Sequence, residues 1–350
     1  MTQKAAIAMS GGVDSTVAAV LMLEQGFQCT GLTLKLRSAD IGCSSAQDIT
    51  DAKAAALHLG IEHFTLDLTQ EFNNRVVRHF VETYEQGATP NPCIECNRYI
   101  KFNFDFLRSS QPDFDLFVTG HYARIKYDSI SGRYLVLKAI DEKKDQSYVL
   151  YNLNQQQLKM SRFPLGELTK NEVRKIAEEK KLINAAKSES QDICFIPDGD
   201  YGNFIENYTG KTYPPGDIID LEGKVIGQHK GLIRYTIGQR RGLGVAANYP
   251  IYVAAKSITA NTVTLAPDEA LFKKSLTAKD INLITCLEIK KPIHVMVKTR
   301  YLQKEQSAVV EQTGEGTLYV EFDSPQRAIT PGQAMVMYDG DIVIGGGTII

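Results

Sequence analysis

Two groups of residues in this sequence have the types and spacing that chemistry needs. The first is Ser10-Gly11-Gly12-Val13-Asp14-Ser15-Thr16. Gly11 and Gly12 carry no Cβ, so an anion can come close to the backbone, and Ser10, Ser15 and Thr16 add hydroxyl donors. The stretch leads from a short apolar run, Ala5 to Met9, into a helical pattern from Thr16 to Leu23 that stops at Gly26. Strand, glycine pair and helix in that order aim backbone N–H groups and a positive helix end at one point, which suits a phosphate chain. The lysine of a P-loop is missing, so kinase- or GTPase-type phosphate chemistry is not implied. Asp14 and Ser15 are expected to serve a ligand rather than the core. The second group is sulfur: Cys93 and Cys96 behind Thr89-Pro90-Asn91-Pro92, and Cys194 within Ser188 to Pro197. Cys93 and Cys96 fall near an expected helix N-terminus, where a thiolate is favoured. A lone C-x-x-C serves redox chemistry, zinc, iron–sulfur ligation or none of them. No second such pair or H-x-x-x-H accompanies it, which argues against structural zinc. Cys29, Cys43 and Cys286 read as packing residues.

These groups need a scaffold, and the surrounding pattern supplies one. Cys29 to Lys35, Glu62 to Leu68 and Asp115 to Thr119 read as further strands. Ala46 to Leu59 and Thr69 to Gln86 read as helices closed by Gly60 and Gly87, and Arg98 to Leu107 as another. Strands separated by such helices predict an α/β, doubly wound parallel sheet. Its ligands bind beyond the carboxyl ends of the strands, where Ser10 to Ser15 and Thr119-Gly120-His121 both fall. Tyr122 to Tyr127 and Arg133 to Ala139 alternate as a hairpin around Ser131-Gly132, and a helix from Thr169 to Lys181 carries a capping box, Thr169 with Glu172. Beyond Tyr213-Pro214-Pro215-Gly216 helices fade, and short strands with turns at Glu222-Gly223 and Pro331-Gly332 predict a small β-rich region and then a β-barrel. The expected domains are 1–205, 206–273 and 274–350.

Composition narrows the function classes. A chain of 350 residues with 43% hydrophobic content can bury large cores. No apolar run approaches the roughly 18 residues of a membrane span, and no secretory leader is visible. Six cysteines in this length are not a disulfide framework, so the cytoplasm is the expected compartment; the sequence leaves the oligomeric state open, with a monomer as the default. A net charge of −2 confines any nucleic-acid surface to a local patch. One such patch runs from Lys224 to Arg241, with Lys224, Lys230, Arg234, Arg240 and Arg241, no carboxylate, and His229 and Tyr235 interleaved. Cationic phosphate contacts beside a stacking aromatic are what an RNA surface needs.

The hexapeptide Ser10–Ser15 resembles the pyrophosphate loop of the ATP pyrophosphatases. Over essentially its whole length the chain resembles the tRNA-uridine 2-sulfurtransferases, or tRNA 2-thiouridylases. The matching stretches are Ser10–Ser15, Thr89–Phe102, Thr119–Tyr122, Lys144–Tyr148, Asp192–Ile196, Gly231–Gly244, Lys298–Tyr301 and Thr330–Gln333. The resemblance departs at Cys93, where well-known members carry Asp.

What the resemblance implies is a reaction in which AMP from ATP is placed on the C2 oxygen of the wobble uridine, position 34, making that oxygen a good leaving group. Met9, Ser10, Gly11, Gly12, Val13, Asp14, Ser15 and Thr16 would hold ATP, with Asp14 steering Mg²⁺ and with Leu34 and Gly120 on the adenine and ribose side. Cys194 would carry sulfur as a persulfide received from a donor protein, with Cys96 its partner nucleophile. AMP and pyrophosphate would leave, and a Cys96–Cys194 disulfide would await reduction. Asn97, His121, Lys144, Asp145, Gln146, Arg300, Tyr301 and Gln333 match positions that touch tRNA in the family, with Arg240 and Arg241 added from the basic patch. Lys-, Glu- and Gln-accepting tRNAs are the expected substrates. An alternative sulfur route has Cys93, Cys96 and Cys194 hold a [4Fe–4S] cluster with one iron open to sulfide; the persulfide route is preferred because it needs only Cys96 and Cys194. Two other classes compete: an amide-forming ATP-pyrophosphatase ligase, which needs neither cysteine nor barrel, and a catalytically silent RNA-binding protein.

Overall fold

The computed structural model describes residues 2–37, 44–110, 113–185, 187 and 193–350. Cys43, and Ser188 to Asp192 ahead of Cys194, lie outside the described residues.

The first part of the chain contributes β1 (Lys4–Ala8), β2 (Gln28–Lys35), β3 (Glu62–Asp67), β4 (Leu116–Val118), β5 (Arg124–Asp128), β6 (Arg133–Leu137) and β7 (Ser161–Arg162). Five of these form a parallel sheet in the order β3-β2-β1-β4-β7. β1 is apolar throughout Ala5-Ala6-Ile7 because helices cover both faces of a central parallel strand. On one face lie α1 (Val13–Glu24) and α2 (Ser44–His58), whose Val17, Ala18, Ala19, Ala52, Ala55 and Ala56 are fully buried. Small side chains there let the helices sit close to the sheet and to each other.

The expected helix from Thr69 forms as one rod over 69–85, α3, with a π-helical turn at Asn73–Val77. The helix expected over Arg98 to Leu107 does not form as one piece. Instead α4, residues 92–101, starts at Pro92 and passes from Pro92–Cys96 into a π-helical turn, Asn97–Lys101. It stops at Phe102 and Asn103, and α5 (Phe104–Ser110) follows. The reason is local. Asn91 Oδ1 accepts from Ile94 N, and Pro92 at the first position has no N–H to leave unpaired. Asn103 Oδ1 accepts from Phe106 N and starts the next helix. On this face Phe102, Phe104, Phe114 and Phe117 pack edge to face. Next come α6 (Gln155–Met160) and α7 (Lys170–Glu179), which keeps the expected Thr169–Glu172 capping box. α8 (Tyr201–Thr209) ends at Gly210 with φ +65°.

A second sheet, order β10-β11-β8-β9, consists of β8 (Gly216–Ile219), β9 (Val225–His229), β10 (Tyr252–Ser257) and β11 (Thr262–Ala266). The rest is antiparallel: β12 (Phe272–Leu283), β13 (Ile293–Lys298), β14 (Gln306–Gly314), β15 (Thr317–Arg327), β16 (Ala334–Asp339) and β17 (Ile342–Ile349). β12 pairs with both β15 and β17, which closes these six strands into a barrel around Val297, Val310, Val320 and Phe322. The β5–β6 hairpin joins the outside of β17, so the first part of the chain is hydrogen-bonded to the barrel.

Candidate active site

The loop between β1 and α1 takes its shape from two constraints. Gly11 has φ +75°, and a Cβ there would meet Asp48 O of α2 at 2.6 Å. Ser15 Oγ and Thr16 Oγ1 both donate to Gly12 O, at 3.0 and 3.1 Å, and Ser10 N donates to Ser15 Oγ at 3.2 Å. Ser15 and Thr16 are 4% and 1% exposed, and Met9 and Val13 are buried in the core below. The loop is therefore held open by its own hydroxyls, and Ser15 is a structural residue as well as a prospective donor. Asn184 Nδ2 adds bonds to Gly11 O (3.2 Å) and Thr16 Oγ1 (2.8 Å).

Asp14 also has a partner in the scaffold. Its Oδ1 accepts from Lys170 Nζ at 2.6 Å and from Tyr122 OH at 2.9 Å. The Lys170 side chain, at the start of α7, is 8% exposed. Sequence reading missed Lys170 because its only local signal is a place in the first turn of a capped helix, far along the chain from the loop.

The ends of neighbouring strands complete the floor. A Cβ on Gly120 would lie 3.0 Å from Ser15 N, so the chain leaving β4 rests directly on the loop. Leu34, near the end of β2, is half-buried between two cores. His121 Nδ1 and Thr119 Oγ1 share a hydrogen bond of 2.7 Å, and the ring packs against Phe102 and Phe163. Burial, helped by the charge of Lys101, holds the His121 imidazole well below its usual range. It is neutral at pH 7.

The thiols come next. Cys96 is 7% exposed, and burial pushes its thiol up to about 12 against the opposing charge of Lys101; Cys194 and Cys93 raise it further. Burial also raises the Cys194 thiol, against Arg37 and Lys101, and Cys93 again adds. The Arg37 guanidinium donates to Cys194 O. Cys93 and Cys194 both act on Cys96, and Cys93 on Cys194, so the three thiols share one region, and none is disulfide-bonded. The expectation that a helix N-terminus favours the Cys96 thiolate is corrected: Cys96 ends the helical turn Pro92–Cys96 and faces the core. Cys96 points inward while Cys93 and Cys194 reach solvent. Among the described residues no three His, Cys, Asp or Glu side chains converge as cluster ligands must, so the three thiols as arranged do not fit a [4Fe–4S] cluster.

Three family profiles match the chain in series: "tRNA methyl transferase HUP domain" over residues 3–198, "tRNA methyl transferase PRC-barrel domain" over 202–267 and "Aminomethyltransferase beta-barrel domain" over 273–349. The chain is 44% identical over 355 residues to the tRNA-specific 2-thiouridylase MnmA of Acetivibrio thermocellus, covering 99% of each chain. With the MnmA of Heliobacterium modesticaldum identity is 46% over 358 residues, covering 100% of this chain and 93% of the other. The chain belongs to the tRNA-specific 2-thiouridylase family. It is thus an enzyme, a tRNA sulfurtransferase. The solved U34-tRNA thiolase NcsA from Methanococcus maripaludis with its [4Fe-4S] cluster aligns with a TM-score of 0.34 and 20% identity, over 59% of this chain and 66% of that one. That overlap is too slight to bear on the chemistry.

Of the remaining candidate residues of this thiouridylase, Gln333 and Tyr301 tie the barrel to the first part of the chain. Gln333 Nε2 donates to Thr89 O and Pro90 O, at 2.9 and 3.1 Å, gripping the loop that leads to Cys96. Tyr301 OH donates to Asp145 O at 3.0 Å, and Gln146 Oε1 accepts from Tyr122 N at 3.0 Å. The Asp145 carboxylate accepts from Ala139 N and from Ser147, shaping its own loop beside half-exposed Lys144. Arg300 Nη2 donates to Ile237 O, Ala328 O and Thr330 Oγ1. Asn97 is 1% exposed and donates to Val149 O, so in this conformation it braces the turn Ser147–Leu150. Arg240 and Arg241 are exposed. Lys224 and Lys230 are exposed as well, whereas three residues of the stretch are reassigned: Arg234 pairs with Glu206 at 2.6 Å, and His229 and Tyr235 are 1% and 3% exposed. Those three hold the second sheet and α8 together, and no stacking aromatic is offered there.

Proposed function

We propose that this thiouridylase replaces the C2 oxygen of uridine 34 with sulfur, using ATP and a cysteine persulfide, in tRNAs accepting Lys, Glu and Gln. The observation that carries the reading is a convergence. The Gly11–Ser15 loop, Gly120 resting on it, and the Cys96–Cys194 pair beside Arg37 all lie beyond the carboxyl ends of β1, β2 and β4.

The C2 oxygen is a poor leaving group, so it attacks the α-phosphate of ATP, pyrophosphate departs, and the base loses its N3 proton. The loop's N–H groups and hydroxyls would hold the pyrophosphate, and Asp14 would steer the magnesium ion that accompanies ATP. A sulfur donor protein loads the outer sulfur on Cys194, which is exposed enough to be reached. The persulfide anion attacks C2, the C2–O bond breaks, and AMP leaves with the electron pair. The Cys96 thiolate then attacks Cys194 Sγ, and the sulfur–sulfur bond breaks toward the base. The base regains a proton at N3, and the Cys96–Cys194 disulfide is reset by a thiol reductant. The chain works as a monomer in the cytoplasm under this reading, and no helix among the described residues is long and apolar enough to cross a membrane.

The test is mass spectrometry of tRNA nucleosides from cells lacking the protein. Normal 2-thiouridine there refutes the proposal. ATP–pyrophosphate exchange that requires tRNA, not a small carboxylic acid, separates it from an amide-forming ligase.

A further inference from the structure

The proposed chemistry passes through two sulfur anions in a place that disfavours anions. Burial in the core raises the Cys96 thiol, and the apolar surroundings at the edge of the same core raise Cys194, although its side chain reaches solvent. Some fixed positive charge must therefore offset it when the persulfide and the Cys96 thiolate form.

Lys101 has the geometry for that role. Cys96 immediately precedes the π-helical turn Asn97–Lys101, and Phe102 N donates to Asn97 O at 3.2 Å, an i to i−5 bond. In such a turn residues five apart lie nearly one above the other, whereas in an α-helix they diverge. The turn thus brings Lys101 round to the side of Cys96. Lys101 is half-buried, yet among the described residues its ammonium forms no ion pair and donates no hydrogen bond. A lysine with no carboxylate at its side leaves its charge available to an anion that forms within its reach. The groups within its electrostatic reach are Cys96, Cys194 and His121. The other groups facing the sulfurs are Arg37, on Cys194, and Cys93, on both. Arg37 donates to the Cys194 carbonyl, which ties it to the backbone. Lys101 is the cation common to both sulfurs.

We propose that Lys101 is a charge-stabilising positioning residue that holds the Cys194 persulfide and the Cys96 thiolate as anions in one place, set there by the π-helical turn. The inference rests on the thiolation reading above. In the balanced sequence, Lys101 keeps its proton throughout: the Cys96 proton returns to N3 of the base, and the lysine supplies charge only.

The experiment compares wild type, Lys101→Met and Lys101→Arg by the rate of alkylation with iodoacetamide against pH, read peptide by peptide for Cys96 and Cys194. Loss of one nearby charge worth about one pKa unit lowers the thiolate fraction about tenfold at fixed pH. Lys101→Met is therefore expected to alkylate about tenfold more slowly at both cysteines, with its profile displaced to higher pH, and Lys101→Arg to stay near wild type. Thermal unfolding on the same samples checks the fold, and Lys101→Gln replaces the Met variant if that fails to fold. Unchanged profiles at both cysteines in a folded charge-free variant overturn the proposal. A change at Cys96 alone overturns the shared role. If wild type makes no 2-thiouridine with tRNA, ATP and a persulfide donor, the thiolation reading fails instead, and the alkylation profiles still decide what Lys101 does.

Discussion

Replacing Gly11 with alanine, beside Gly26→Ala as its control, isolates how the phosphate loop is built. Both glycines have left-handed backbones, φ +75° and φ +83°. An alanine pays roughly 1–2 kcal/mol for that conformation in either place. The surroundings then differ. At Gly26 nothing lies within 4 Å of the new Cβ, whereas at Gly11 it meets Asp48 O at 2.6 Å, Asp51 Cβ at 3.0 Å and Ala52 N at 3.3 Å. A backbone carbonyl in α2 cannot swing aside, so the helix must shift, at about 1–3 kcal/mol more, as in other overpacked interiors. Gly26→Ala should thus cost about 1–2 kcal/mol and Gly11→Ala roughly 2–5 kcal/mol. At about 2–4 °C per kcal/mol for a domain of this size, the two melting temperatures should differ by several degrees. Function should separate them further. Gly26 closes the far end of the 12-residue α1, about 18 Å from the loop, and its variant should keep tRNA-dependent ATP–pyrophosphate exchange. Gly11→Ala should lose that exchange even well below its melting temperature. Equal melting temperatures, or full exchange by Gly11→Ala, would refute the argument that the loop is wedged against α2.

Asp14→Asn and Lys170→Met should each abolish exchange and lower stability, by about 1–3 kcal/mol, because each removes one charge of a partly buried ion pair at 2.6 Å; chemical denaturation that moves for neither would mean the pair is incidental. Charge reversal at Arg240 and Arg241 should weaken tRNA binding and reduce the salt slope by about 0.7–0.9 for each phosphate no longer neutralised, measured by filter binding across a salt series. Cys96→Ser and Cys194→Ser should make no 2-thiouridine with a persulfide donor, while Cys93→Ser keeps substantial activity; loss of all activity in the Cys93 variant would contradict the two-cysteine route. Because burial raises the Cys96 thiol to about 12 and raises Cys194, single-turnover sulfur transfer should speed up by roughly tenfold per pH unit between about pH 7 and 9, and a flat profile would mean that thiolate formation does not limit the step.

Much of the catalytic scaffold was legible in the sequence because it is locally encoded. Ala5-Ala6-Ile7 announces a strand buried on both faces, the glycines after it allow φ +75°, and Thr169 with Glu172 writes a helix start into four residues. The barrel was legible as alternating strands between turns, although its closure was not, since pairing of β12 with β17 joins segments nearly seventy residues apart. Where side chains meet across the fold, sequence periodicity carries no information. Asp14 looked like a free ligand group, and only the packing of α7 on α1 shows that Lys170 holds it. Cys96 looked like an activated thiol at a helix start. Asn91 and Pro92 begin the helix earlier, and the thiol ends up inside the core with its proton held on. Arg234 and Tyr235 had the composition of an RNA surface, yet an arginine with Glu206 in reach and a tyrosine on the inward face serve the fold. Residue type and spacing determined which chemistry this chain can do. Burial and long-range partners, which depend on the whole fold, decided which of those residues are charged, reachable and poised to do it.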